Sequence, residues 1–266
     1  MSQSLPIVIC GESLLDVFQD GDTPTGMRLD AVVGGSPLNV ASGVQRMGRE
    51  AVFFGAVSRD FLGERILRSL VDEGLSLQAV VRCDAPTTLS LVGVDAQGVP
   101  SYRFYGHGAA DRDLRPEHLA LLPAEVAAIN FGSYACVVEP IGGTLRALVE
   151  ARRARTVIAY DPNVRLNVEP RLQVWRDHID WMASRCHLLK LSDEDFARLY
   201  PGEDVAARAA GWLAQGVSLV MMTRGGQGAL AWTRSGHCAV PAPKVTVQDT
   251  VGAGDTFQAA TLVALG

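Results

Sequence analysis

Short apolar runs rich in β-branched and aromatic residues recur along the chain, separated by longer stretches whose apolar positions return every three or four residues. Pro6–Cys10, Ala51–Val57, Val126–Phe131, Thr156–Tyr160, His187–Leu191 and Val217–Thr223 are nearly continuous in apolar character, the pattern of strands covered on both faces. Their alternation with helical segments predicts an α/β fold, a doubly wound and mostly parallel sheet flanked by helices. Helix starts are punctuated: Ser36 before Pro37 reads as an N-cap and first helical residue, Asp60 as the cap of Phe61–Glu73, and Ser192 as the cap of a later helix. Two stretches break the rhythm. Leu14–Phe18 with Met27–Val33, and Thr87–Asp95 with Val99–Tyr105, read as hairpins whose turns carry Gly21, Asp22, Pro24 and Gly98. They predict a small β-rich flap beside the main layer. No repeat, low-complexity tract or linker divides the sequence, which reads as a single domain over 1–266.

Composition narrows the function classes. With 266 residues, 48% hydrophobic and 20% charged, the chain suits one large α/β domain with a substantial core. Its 24 basic residues against 29 acidic ones give a net charge of -5, which offers no footprint for nucleic acid. Cys10, Cys83, Cys136, Cys186 and Cys238 are scattered and odd in number, as buried free thiols in a reducing compartment are. His107, His118, His178, His187 and His237 show no metal-ligand spacing. Met1–Pro6 lacks a basic start followed by an apolar run, and no window approaches the roughly 20 apolar residues of a membrane span. The expectation is a cytoplasmic protein with neither membrane nor nucleic acid as partner.

Asp249–Phe257, DTVGAGDTF, carries the strongest chemical signal. Small residues there let the backbone approach a ligand, and a helix opening at Gly252 would aim unpaired amides and its dipole at an anion. Asp255, in the first turn, would project toward the same place. A hydroxyl attacking a γ-phosphoryl group must lose its proton while charge spreads over the transferred oxygens, so a base beside an anion nest has a chemical purpose. Taken alone, the segment serves equally as a glycine-rich turn with an acidic first-turn residue. A dinucleotide fingerprint fails because position 257 is Phe257 rather than glycine, and no loop ends in Gly-Lys-Ser/Thr. An NAD-dependent enzyme is thereby disfavoured.

Other polar clusters fall at strand ends, where open α/β sheets place ligands. Gly11, Glu12 and Asp16 follow the first strand, and Asp16, with no basic neighbour in sequence, would accept hydroxyl donors such as a sugar presents. Gly34, Gly35, Ser36, Pro37, Leu38 and Asn39 form a tight turn feeding a helix, which is either a polyol-binding turn or a plain helix start. Asp161, Asn163 and Arg165 in DPNVRLN serve a crevice or a surface ion pair. Thr223–Gly228, TRGGQG, serves a nucleotide or a hairpin.

Six segments in one order, GESLLD, GGSPLNVA, SRDFLGE, DPNVRLN, TRGGQGA and DTVGAGDTF, resemble the ribokinase-like (PfkB) carbohydrate kinases over nearly the whole chain. The resemblance implies a doubly wound α/β domain with a β-sheet lid, the lid strands near 14–33 and 87–106. It implies Asp255 as catalytic base and the amides of Gly252, Ala253 and Gly254 as the anion hole. Asp16, Gly34, Gly35, Asn39, Tyr105 and Arg165 would hold the sugar; Lys190, Thr223, Gly225 and Gly228 would line the ATP site; Asp249 would help hold a monovalent cation, K+. Mg2+ is expected with ATP, and a homodimer through the lid is the implied assembly. The family's Asn-x-x-Glu element stands here as Ser192–Asp195. Members continue well past the DTxGAGD segment, so the C-terminal part of the fold is expected to be missing after Gly266. GGSPLNVA, PTTLSLVG, FYGHGAADRDL and KLSDED are most similar to bacterial fructokinases. A 2-keto-3-deoxygluconate kinase is the nearest alternative, but similar kinases of that acid place an arginine after the lid aromatic, where this chain has Gly106 and His107. A sugar-binding protein without catalysis would have no use for Asp255.

Overall fold

The computed structural model describes residues 5–94, 100–246 and 249–265. Nine strands form one sheet in the order β13-β12-β11-β10-β9-β8-β1-β4-β5. Parallel pairing runs from β11 (Leu219–Thr223) through β10 (Leu188–Ser192), β9 (Val157–Asp161), β8 (Ala128–Gly132), β1 (Ile7–Cys10) and β4 (Ala51–Ser58) to β5 (Val80–Cys83). β12 (Ala229–Thr233) and β13 (Gly236–Val240) close one edge antiparallel. All six expected strands are present; β5, four residues long, interrupted by Arg82 and only half buried, gave no apolar run to read.

The near-continuous apolar strands are explained by burial on both faces. In β1, Val8 and Cys10 join a core with Phe54, Phe131, Tyr160, Trp175 and Trp212, whereas Ile7 and Ile9 join a second with Leu38, Val44, Phe53, Ile66, Ala259 and Leu262. The first core lies under α3 (Ile141–Arg152), α4 (Leu172–Ala183), α5 (Asp193–Leu199) and α6 (Val205–Gln215). The second lies under α1 (Ser36–Arg46), α2 (Phe61–Asp72) and α7 (Ala253–Leu265). Asp60 caps α2 by accepting from the Gly63 amide at 2.7 Å, and Ser192 caps α5 by accepting from Asp195 at 3.0 Å, both as expected. Ser36 does not cap α1: Gly35 occupies that position and Ser36 is already helical, its hydroxyl directed elsewhere.

The flap is a separate four-stranded sheet ordered β3-β2-β6-β7. β2 (Leu14–Thr23) and β3 (Gly26–Gly34) run longer than their apolar cores and turn at Pro24–Thr25, with a register shift between Gln19 and Asp22. Of the second hairpin, β6 (Leu89–Val94) and β7 (Pro100–Tyr105) are described; its expected turn at Gly98 lies outside the described residues. Only Gly11, Glu12 and Ser13 separate β1 from β2, and Gly35 alone separates β3 from α1. The flap is therefore wired at both ends into the carboxyl edge of the main sheet. Cys10, Cys136 and Cys186 are buried free thiols, Cys83 is half-buried and Cys238 is exposed. Among the described residues, no helix is long and apolar enough to cross a membrane.

Candidate active site

The chain leaves β1 for β4 on one side and later returns to β8 on the other, which makes β1 the point where strand order reverses. Ligands of open α/β sheets sit at the carboxyl ends around such a point. There stand Glu12 after β1, Ser133 after β8, Asp161 ending β9, Lys190 within β10 and Thr223 ending β11. The amino-terminal ends of α1 and α7 face the same crevice. The two helices pack closely because position 43 is glycine: a Cβ there would lie 2.8 Å from that of Ala259.

Asp255 is buried in the first turn of α7, and both of its oxygens are held from α1. Ser36 Oγ donates to Oδ1 at 2.6 Å, and Asn39 Nδ2 donates to Oδ2 at 2.9 Å. The structure thus joins residues 219 and 216 apart in sequence. The role of Ser36 was not legible, because its place before Pro37 read as a cap. α7 opens at Ala253, one residue later than expected, with Gly252 at φ 74° forming the turn. The Ala253 amide is occupied by the Thr250 carbonyl at 3.2 Å, whereas those of Gly254 and Asp255 have no partner among the described residues. The Gly252 amide is likewise without a partner among the described residues, so of the expected set of Gly252, Ala253 and Gly254 only the Ala253 amide is taken up within the turn.

Beneath this turn, Lys190 Nζ donates to Asp161 Oδ2 at 2.7 Å, both side chains buried. A Cβ on Gly254 would lie 3.2 Å from Lys190 Nζ, so the ammonium stands directly under the anion-facing turn. Burial pushes the Asp161 carboxyl upward in pKa and Lys190 pulls it back. Asp161 had been open between a crevice residue and a surface pair; the pair is a buried one.

On the flap side, Asp16 shares a register with Ser90 and Phe104, which places the three on one face of the small sheet. Asp16 lies against Gly34, where a Cβ would come within 2.4 Å of its Oδ2. Gly35, at φ 113°, backs onto the Glu12 carbonyl, 2.7 Å from where a Cβ would sit. Burial raises the Asp16 pKa, while Ser90 and the nearby Arg165 charge oppose the rise. The basic neighbour that Asp16 lacks in sequence is therefore supplied in space. Tyr105, expected among the sugar contacts, pairs with Leu89 on the opposite face and is 58% exposed. Phe104 takes its place facing the crevice and packs edge-on against Tyr134, ring centroids 5.5 Å apart. The one-residue displacement is a pleat effect, since neighbouring residues of a strand point to opposite faces.

Several polar residues at this end escaped the sequence reading. Asp111 is buried, accepting from Thr88 Oγ1 and, at 2.9 Å, from the Tyr134 hydroxyl. The missed signal was an acid two residues beyond the HGA turn of FYGHGAADRDL. Arg165 donates to the carbonyls of Asn163 and Val164 at 3.4 and 3.1 Å, and its charge acts on Glu12, Asp16 and Asp195.

The remaining expected residues lie along β10–β11. Thr223 pairs in register with Ser192, and Gly225, at φ 50°, opens the exposed turn Gly225–Gln227. Gly228 has a packing reason of its own, because a Cβ there would fall 2.0 Å from the Val240 carbonyl. Asp195, in the Asn-x-x-Glu segment's place, is buried and accepts from the Val164 amide at 3.3 Å. Asp249 is exposed and accepts from the Val251 amide at 2.9 Å. The crevice brings together a held carboxylate, free amides over a buried ammonium, and a flap face carrying Asp16 and Ser90, a set whose chemistry suits phosphoryl transfer to an alcohol.

The family model described as pfkB family carbohydrate kinase matches residues 7–266. A fructokinase of Rhizobium leguminosarum bv. trifolii is 33% identical, aligned over 97% of this chain and 79% of its own length. A fructokinase of Klebsiella pneumoniae is 32% identical over 97% of this chain and 84% of its own. Among solved structures, a fructokinase from Xylella fastidiosa with bound ATP superposes with a TM-score of 0.85 at 25% identity, covering 97% of this chain and 80% of that one.

Proposed function

The chain belongs to the pfkB family of carbohydrate kinases, and we propose that it transfers the γ-phosphoryl group of ATP to a hydroxyl of a neutral ketose, D-fructose, with Asp255 as the base. The observation that carries this reading is Asp255 clamped by Ser36 and Asn39 beside the free amides of α7. The clamp orients the carboxylate, which accepts the sugar proton as the hydroxyl attacks phosphorus. The Gly254 and Asp255 amides with Lys190 meet the negative charge gathering on the transferred oxygens. Asp16, Asn39 and the Gly34–Gly35 turn hold sugar hydroxyls; Thr223 and the Gly225–Gly228 turn flank the nucleotide.

Among the described residues no group of three or more His, Cys, Asp or Glu is spaced to hold a metal. Mg2+ would then be carried by the ATP phosphates, where it neutralises charge, with Asp195 and Asp161 the acids nearest that end of the crevice. K+ is assigned to the Asp249 loop. A homodimer through the lid is supported by its outer face, where Leu29 and Tyr105 are 52% and 58% exposed.

Charge favours a neutral sugar. Arg165 is already shared among Glu12, Asp16 and Asp195. Arg103 pairs in register with Leu91, on the face away from Asp16. Arg112 reaches the space beside Gly106, 3.5 Å from where a Cβ would sit, and its charge acts on the buried Asp111. None of these three both shares the Asp16 face and lacks an acidic neighbour. In a coupled ADP-release assay, D-fructose is expected to exceed ribose and 2-keto-3-deoxygluconate in kcat/KM by about ten- to a hundredfold or more. Equal turnover of the acidic sugar would overturn the assignment.

Gly34→Ala tests the sugar turn. Its Cβ must displace the Asp16 carboxylate, so KM for fructose is expected to rise on the order of tenfold to a hundredfold, while KM for ATP stays near wild type. An unchanged fructose KM would remove Asp16 from the binding set.

A further inference from the structure

On the reading that this chain phosphorylates a neutral sugar, we propose that Glu12 is a positioning residue of the sugar pocket, which with Ser133 sets the Gly34–Gly35 turn against α1 and leaves the charge of the nearby Arg165 to favour Asp16. Glu12 is the second residue beyond β1, and its carbonyl forms the surface on which Gly35 rests. Its side chain is buried, as is Ser133, whose hydroxyl is set against the Glu12 carboxyl, and Glu12 Oε2 is left without a hydrogen-bond partner among the described residues. Buried polar atoms left unpaired are costly, and their retention at a ligand crevice calls for a purpose. Ser133 holds the left-handed conformation at φ 59°, and its amide donates to the Asp161 carbonyl at 3.1 Å. One contact path thus runs from the sugar turn through Glu12 and Ser133 to Asp161, whose carboxylate holds Lys190 under the anion-facing amides.

Charge makes this position sensitive to protonation. Asp111, with Arg112 beyond it, faces Glu12 from the 3-10 turn Ala110–Arg112. Tyr134 and Cys136 face it from the turn after β8, and Arg165 from the loop after β9. Burial pushes the Glu12 carboxyl up to about 8, so it carries its proton at neutral pH. Once ionised, it adds a second buried negative charge beside Asp111 and competes with Asp16 for Arg165. The Arg165 charge that favours the ionised form of Asp16 in the sugar-binding arrangement is then divided.

The test compares wild type and Glu12→Gln, which keeps shape and polarity but cannot ionise. For wild type, kcat/KM toward fructose is expected to fall above pH about 8, approaching about tenfold per pH unit, with the loss in KM rather than kcat. Glu12→Gln is expected to match wild type near neutrality and to lack this limb. Ser133→Ala, a second variant should the first not fold, removes a group that favours the ionised carboxylate and is expected to move the limb to higher pH. Stability supplies an arm independent of turnover. A carboxyl whose folded-state pKa is raised contributes stability present below its ordinary 4.5 and lost as pH rises to about 8, so the thermal midpoint of wild type should fall relative to Glu12→Gln across that window. Identical basic limbs with a constant midpoint difference would overturn the proposal. Failure to phosphorylate fructose at any pH would instead sink the substrate reading, with the midpoint comparison still deciding whether Glu12 holds its proton.

Discussion

Asp255→Asn is expected to lower kcat by about a hundredfold to ten-thousandfold while fructose and ATP affinity stay near wild type. The substitution is clean because the clamp survives it. The introduced carboxamide would accept from Asn39 through its oxygen and donate through its nitrogen to Ser36 Oγ, the serine hydroxyl having turned from donor to acceptor. What is lost is the capacity to take a proton from the attacking sugar hydroxyl. A residue that merely decorates the first turn of α7 predicts the opposite signature, a cost of about 1 kcal/mol in stability with turnover largely intact. Measuring kcat, calorimetric affinities and thermal midpoint on one preparation separates the two. A variant retaining more than about a tenth of wild-type turnover is incompatible with Asp255 as the base.

The second large effect belongs to Lys190. Replacing it with methionine preserves much of the volume but strands the Asp161 carboxylate, whose charge is buried and whose ammonium partner at 2.7 Å is gone. Breaking a buried pair by removing one member costs about 3–5 kcal/mol, because the survivor keeps its desolvation penalty without compensation. Lys190→Met is therefore expected to lose stability by that amount and to turn over slowly. The double variant Lys190→Met with Asp161→Asn, which removes both charges, should recover most of the thermal midpoint. Its kcat should remain low, since the cation beneath Gly254 is still absent. Recovery of both would assign Lys190 to folding alone; recovery of neither would mean that the pair is not an independent electrostatic unit.

Much of the fold was legible because strand burial leaves a local record. β1, β4, β8, β9, β10 and β11 are covered on two faces, so their apolar runs are nearly unbroken and announce a parallel sheet. The caps at Asp60 and Ser192 were legible for the same reason: a cap satisfies an amide only three residues away. β5 was missed because an edge strand of four residues, half of them only partly buried, leaves no such record. Asp255, Gly34, Gly35 and Asn39 were singled out by their turn chemistry and by the resemblance it supports, and the structure brings them to one crevice. Tyr105 stands on the face away from Asp16, which was not legible because a segment can be recognised as a strand without its register being known, and a slip of one residue reverses the face.

Sequence alone determined the layer architecture, the flap, the helix starts at Asp60 and Ser192, and the glycine-rich turn before Asp255, all properties written within a few consecutive residues. Tertiary structure decided which distant groups share a charge or a proton. Ser36 and Asn39 meet Asp255 across more than two hundred residues. Lys190 meets Asp161 under Gly254, the Arg165 charge acts on three acidic groups, and Glu12 is desolvated against Ser133 and Asp111. The physical reason is that hydrogen-bond partners and dielectric surroundings depend on spatial neighbours brought together only when β1, β8, β9 and β10 align at their carboxyl ends. A side chain's type is local, whereas its protonation and orientation are set by the field of everything packed around it.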